Sequence, residues 1–275
     1  MEKLFTVLKN LDRRIIYLIV FLSILLPLLP GFGFLRSNFS VNKETQMVYD
    51  YIEEQTPGSA IFFDFAFDPT TQAELLPMAE ATIKHSLRKG HKVFMYYSSI
   101  TAIVLGQNLM VKLKNEEEFA HIQEGVNYIN LGYLPITVDM MLFSMQTDFK
   151  NTFKKEGVIF EGVKTLKDIK FIVCFSGSSA GEIYVADQRR FGYKTTSGVT
   201  AVMGPAFVPF VQTGQATGYL NGLRGAAEYE KLVGYRGSAT AGMASLTLSH
   251  LVILGFIVLG NIIYIYERKQ RRKRG

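Results

Sequence analysis

The chain has 275 residues, 48% of them hydrophobic and 20% charged, with four histidines, one cysteine and a formal net charge of +6. That length suits one ordinary domain with additional segments, and the single Cys174 excludes an internal disulfide. The charge is concentrated at the ends: +2 over residues 1–14 and +5 over 267–275 leave −1 between them, so the basic balance does not describe a nucleic-acid surface and no nucleic-acid partner is expected.

Residues 1–14 are a short basic leader, and 15–35 form an uncharged run long enough to span a bilayer. Pro27 and Pro30 should kink or end that helix. A cleavable signal peptide is the rival reading, but the run is long for one and no small-x-small site follows it.

Residues 36–237 read as an α/β domain. A helix is expected within 38–57 and a strand at 59–67, SAIFFDFAF. Asp68 and Pro69 are suited to cap and start a helix reaching Arg88, with Ala73, Leu76, Ala79, Ile83 and Leu87 on its apolar face and Glu80 paired to Lys84 on the other. A second strand follows at 91–97, then a helix over 99–113, a charged surface segment over 112–124 and a third strand at 127–131. The Met- and Phe-rich stretch 136–153 reads as a core helix. The next unit, 170–190, is KFIVCFSGSSAGEIYVADQRR: a buried strand, a turn of small residues and a helix. Cys174 in that strand reads as a core filler. A fifth strand is expected at 199–203, an apolar loop held open by Pro205 and Pro209 at 204–213, and an amphipathic helix at 214–233 with Arg224 and Glu228 paired outward. Residues 234–237 read as a hinge, 238–266 as a second membrane helix with a juxtamembrane start, and 267–275 as a basic tail.

Strands alternating with helices at this spacing imply a Rossmann-like α/β fold, a mostly parallel sheet of about five strands covered by helices and flanked by two transmembrane helices. Both basic tails adjoin a span, so the positive-inside rule puts both termini in the cytoplasm and the domain outside it, in a two-pass protein of the cell membrane.

Gly177-Ser178-Ser179-Ala180-Gly181 matches G-x-S-x-G between a strand and a helix, which would make Ser179 a nucleophile. That chemistry expects an acid and then a histidine later in the chain, and the only later histidine is His250, in the apolar C-terminal run. The alternative is a tight turn whose Ser176, Ser178 and Ser179, with Asp64 and Asp68 at the end of the first strand, receive a small polar or anionic ligand. Asp64 is also a candidate carboxylate for hydrolysis, although the D-x-x-x-D spacing departs from a strand-end D-x-D. The first strand–helix turn contains no glycine, so the dinucleotide fingerprint is missing, and the histidines and cysteine fit no metal-ligand spacing. No cofactor and no metal are expected.

Ser238, Gly242, Ser245 and Ser249 recur along one face of the last helix, where small residues permit close helix approach. This face meets either the chain's own first span or another membrane protein. Residues 214–230 resemble stretches of prokaryotic membrane proteins, a likeness that implies no activity. These features lead us to expect a non-enzymatic binding, sensing or scaffold component of a membrane complex. Its partners would be lipids and other membrane proteins or a second copy. The alternatives are a membrane-bound hydrolase and a solute-binding domain serving a transporter.

Overall fold

The computed structural model describes residues 12–29 and 39–274. The chain divides into two compact units: Phe39–Thr240, and a second made of the segments on either side of it.

The larger unit is an α/β domain. Its strands are β1 (Ala60–Ala66), β2 (Lys92–Tyr96), β3 (Tyr128–Gly132), β4 (Ile169–Ser176), β5 (Lys194–Val199) and β6 (Leu220–Asn221). They form one sheet, every pair parallel, in the order β3-β2-β1-β4-β5-β6. β1 and β4 are near-continuous apolar runs because a parallel strand in the middle of such a sheet is covered on both faces. Successive residues serve opposite faces. Phe62 joins Phe94, Phe149 and Phe153 in one core, and Phe63 stacks on Phe175 in the other. Each of these buried rings contributes on the order of 1.5–3 kcal/mol.

We number the helices of both units in chain order. In this domain they are α2 (Lys43–Glu53), α3 (Gln72–Arg88), α4 (Ala102–Lys114), α5 (Val138–Thr147), α6 (Phe149–Phe153), α7 (Ala180–Phe191), α8 (Gly204–Gln212) and α9 (Gly222–Val233). α2, α3, α4 and α9 cover one face of the sheet, and α5 to α8 cover the other.

Several expectations change. The sheet has six strands rather than about five, and the fifth lies at Lys194–Val199 rather than 199–203. The stretch 204–213 is helix α8. Pro205 occupies its first turn, where an N–H would have had no partner, and buried Phe207 packs on Val185, Val199 and Tyr219. The helix expected from residue 214 begins only at Gly222 and is preceded by β6. Gly218 helps to delay it: it sits at φ +68° and passes so close to the Glu44 carbonyl that no side chain fits there. Asp68 is not the cap of α3. Thr71 is the residue before the helix, and Asp68 instead closes the turn ahead of it.

Two pairs expected to face solvent reach into the interior, the first through both members and the second through its glutamate. Glu80 and Lys84 are both buried, and Lys112 and Glu116 extend them into an ion-pair network. Glu228 is fully buried and accepts from Arg224, from the Asn42 backbone N–H and from the Thr45 hydroxyl. Two residues on, the buried Glu230 carboxylate accepts from the backbone N–H groups of Gly237, Ala239 and Thr240 and from the Thr240 hydroxyl, at 2.6–2.9 Å. It thereby satisfies the otherwise unpaired donors at the start of the C-terminal helix. The expected hinge at 234–237 is therefore fastened by hydrogen bonds.

The second unit contains α1 (Arg13–Leu25), continued by a 3-10 turn at Leu26–Leu28, and α10, which runs Ser238–Arg274 and leaves the domain after Thr240. Its stretch Ser238–Tyr266 is long and apolar enough to cross a membrane, with mean hydropathy 2.2. Among the described residues it is the one helix that qualifies. Part of the other expected span, residues 30–35, lies outside the described residues.

Candidate functional site

The strand order reverses between β1 and β4. In open parallel sheets, ligands bind beyond the carboxyl ends of the strands at such a reversal. Asp64 lies near that end of β1, in register with Tyr96 on β2 and Cys174 on β4.

Its carboxylate is fully buried. Oδ1 accepts from the Ser98 backbone N–H at 2.9 Å, and Oδ2 from the Ser98 hydroxyl at 2.5 Å and the Tyr184 hydroxyl at 2.8 Å. The Cys174 thiol lies 3.9 Å from Oδ2. Burial pushes the carboxyl up to about 6, against the lowering effect of these donors. The same burial, with Asp64 alongside, pushes the Cys174 thiol well up, so it is not poised as a thiolate. Asp64 thus ties β1 to the loop after β2 and to α7, and it presents no carboxylate oxygen to a ligand.

Asp68 is not brought to it. Asp68 is exposed, its Oδ1 accepting from the Thr70 backbone N–H at 2.8 Å and hydroxyl at 2.5 Å, and these bonds hold its carboxyl below the ordinary range. Among the described residues, no three His, Cys, Asp or Glu side chains come together as a metal centre requires.

The turn after β4 is closed by Ser176. Its buried hydroxyl accepts from the Ser178 backbone N–H at 3.0 Å and lies 3.0 Å from the Ser178 carbonyl. Ser178 and Ser179 are exposed. Ser179 precedes α7 in an ordinary backbone conformation, φ −74°, ψ 4°, with no capping bond from its side chain. A nucleophile elbow instead holds its serine on a sharp, strained turn. Nor is any histidine of the described α/β domain placed beside it. His85 at the end of α3, His91 before β2 and His121 before β3 all belong to the opposite edge of the sheet, because helices return antiparallel to the strands. His85 is engaged there with Glu53 at 2.7 Å and Tyr229 at 2.8 Å, and burial lowers its pKa. The small residues of the turn serve packing. A Cβ at Gly177 would stand 2.9 Å from the Thr71 methyl, and one at Gly181 would collide with Ser197 on β5. The connections after β1 and β4 therefore touch across the reversal.

Sequence reasoning missed Ser98 and Tyr184, the partners of Asp64. Ser98 carried a weak signal, since it follows β2 at the same carboxyl edge. It also missed two grooves flanking α4. One of about 490 Å³, between α3 and α4, is lined by Leu76, Pro77, Leu105 and Leu109 with Glu80 and Lys112. The other, about 560 Å³, lies between α4 and the edge strand β3.

In the second unit, Ser245 and Ser249 are buried, together with Ala241, Ala244 and, on α1, Ser23. The Ser245 hydroxyl donates to the Ile24 carbonyl at 2.8 Å. The small-residue face thus meets α1 of the same chain at Ser245. Gly242 is half-buried, and Ser238 is exposed and belongs to the α/β unit. Asn261 satisfies its amide on its own helix, donating to the Ile257 carbonyl at 2.8 Å.

No family model, curated protein or solved structure matches this chain.

Proposed function

We propose that this protein is a non-enzymatic binding or scaffold component of a membrane protein complex. It is held by two membrane passes with both termini in the cytoplasm and the α/β domain outside. The apolar helix Ser238–Tyr266 and the basic residues that follow it support the anchorage and its direction.

The observation that carries the reading is a contrast on the α/β domain. At the reversal of the sheet Asp64 is engaged by Ser98 and Tyr184, and Ser176 by its own turn, while large apolar side chains on α4 and α5 are left to solvent, Met140 and Phe143 at about 60% exposure. Exposed apolar faces of this kind mark interaction surfaces. A hydrolase based on Ser179 or Asp64 draws no support from the geometry, since Asp64 is sealed and the histidines of the domain lie at the other end of the strands.

Photocrosslinking in intact membranes tests the function. A diazirine side chain at Phe143 should give a discrete crosslinked protein, while the same group at exposed Glu117 should not. Equal, diffuse crosslinking at both positions would overturn the reading. The topology has its own test. Single cysteines at exposed positions between 40 and 235, in a Cys174→Ser background, should react with an impermeant thiol reagent in intact cells, and cysteines at 268–275 should be protected. Labelling of the tail from outside would reverse the orientation.

A further inference from the structure

α4 is a ridge. Ile100, just before the helix, and Val104 and Val111 within it are exposed by 63, 59 and 61%. Val104 and Val111, seven residues apart, share one face of the helix. Val111, at the end of this apolar crest, also forms part of the wall of the groove between α4 and β3.

The groove contains both signs of charge: Lys114 and Lys155 line it together with Glu124. Among the described residues none of the three forms an ion pair. The strand beside it is the longer edge of the sheet, five residues against two in β6 at the other edge. Its outward backbone is already covered. The Gly125 N–H donates to the Tyr128 carbonyl at 2.7 Å, and the Asn130 N–H donates to Glu124 at 3.3 Å. Local cover of this kind blunts an edge against an added strand, so association here would proceed through side chains.

We propose that this face is the interface of a two-fold homodimer. A ridge beside a groove on one helix is self-complementary: under a two-fold axis, each copy's Val104–Val111 crest enters the other's groove. The same operation brings Lys114 and Lys155 of each copy toward the partner's Glu124. That pairs charges the single chain leaves unpaired, which an acyl chain or an all-basic or all-acidic partner would not do. The proposal deepens the scaffold reading by naming one surface and one occupant.

The test is the oligomeric state of the full-length protein in nonionic detergent, by analytical ultracentrifugation over a concentration series. Lys114→Glu/Lys155→Glu makes the groove wholly acidic, and Glu124→Lys makes it wholly basic. Wild type should dimerise. Each variant alone should dimerise at least about tenfold more weakly, because like charges then meet. An equimolar mixture of the two variants should recover the wild-type dimer, since every charge finds its opposite across the interface. Monomeric wild type, variants that dimerise as wild type does, or a mixture no better than its components would each overturn the proposal. Dimerisation through the membrane helices would appear as the second of these. The scaffold reading is tested separately, by crosslinking at Phe143.

Discussion

Asp64 offers a prediction with a sign. Its carboxyl stands at about 6 in the folded protein against an ordinary 3.8, a difference worth about 3 kcal/mol. Between those values the folded state binds more protons than the unfolded chain. The stability contributed by the neutral acid is thus fully present below about pH 4 and is lost as pH rises through 6. Asp64→Asn cannot ionise. It keeps an acceptor for the Ser98 N–H, and its amide can donate to the Ser98 and Tyr184 hydroxyls if these rotate to accept. It should remove the loss of stability that Asp64 contributes between about pH 4 and 7, while staying within about 1 kcal/mol of wild type near pH 7, the scale of one exchanged hydrogen bond. Asp64→Ala leaves the buried Tyr184 hydroxyl without a partner, at roughly 1–3 kcal/mol, frees the half-buried Ser98 N–H, and should destabilise at every pH. Denaturant unfolding of the α/β domain within the full chain, followed by near-ultraviolet circular dichroism from pH 4 to 7.5, reads all three proteins. Parallel pH profiles for wild type and Asp64→Asn would refute the reasoning, because Asp64 would then not be the group that titrates.

A fluorophosphonate probe should leave Ser179 unmodified, and mass spectrometry of the 177–190 peptide checks this; covalent labelling would restore the hydrolase reading. Glu230→Ala should cost on the order of 2–4 kcal/mol by stripping the acceptor from four donors, with hydrogen exchange at Ala239 and Thr240 accelerating first. Protection unchanged at those amides would mean that the cap is dispensable. Ser245→Leu should weaken the contact of α10 with α1 by about 1–2 kcal/mol, the scale of one close interhelical contact. Gly255→Leu, where a Cβ meets nothing within 4 Å, should be silent in the same thermal-unfolding assay in detergent.

The parts of the fold that could be read from sequence are those whose cause is local. β1 and β4 announce themselves as apolar runs with turn residues after them. β5 does not, because KTTSGV looks polar. Its threonines are nonetheless buried, their hydroxyls bound to the carbonyls of Ile172 and Gly218 at 3.0 Å. Two prolines disguised α8, and β6 is too short to carry a pattern. At the site, the sequence singled out Asp64 but not its fate, since Ser98 lies 34 and Tyr184 120 residues away. The i,i+4 pairs Glu80–Lys84 and Arg224–Glu228 were legible as pairs. Which way they faced depended on Lys112, Glu116, Asn42 and Thr45, which only the tertiary fold brings near.

The two glutamates of α9 have one more consequence. Glu228 fastens the chain where it joins the domain, at Asn42 and Thr45, with Lys231 reaching the Phe39 carbonyl at 2.6 Å. Glu230 fastens it where it leaves, at Gly237–Thr240. The first helix of the domain therefore cannot be secured until nearly the last has been synthesised. Once both are in place, the beginning and the end of the domain are stitched to a single helix. Ends so close make the unit a cassette. Joined by a short linker and reopened at an exposed loop such as residues 133–137 after β3, it can begin and end elsewhere while every element keeps its neighbours.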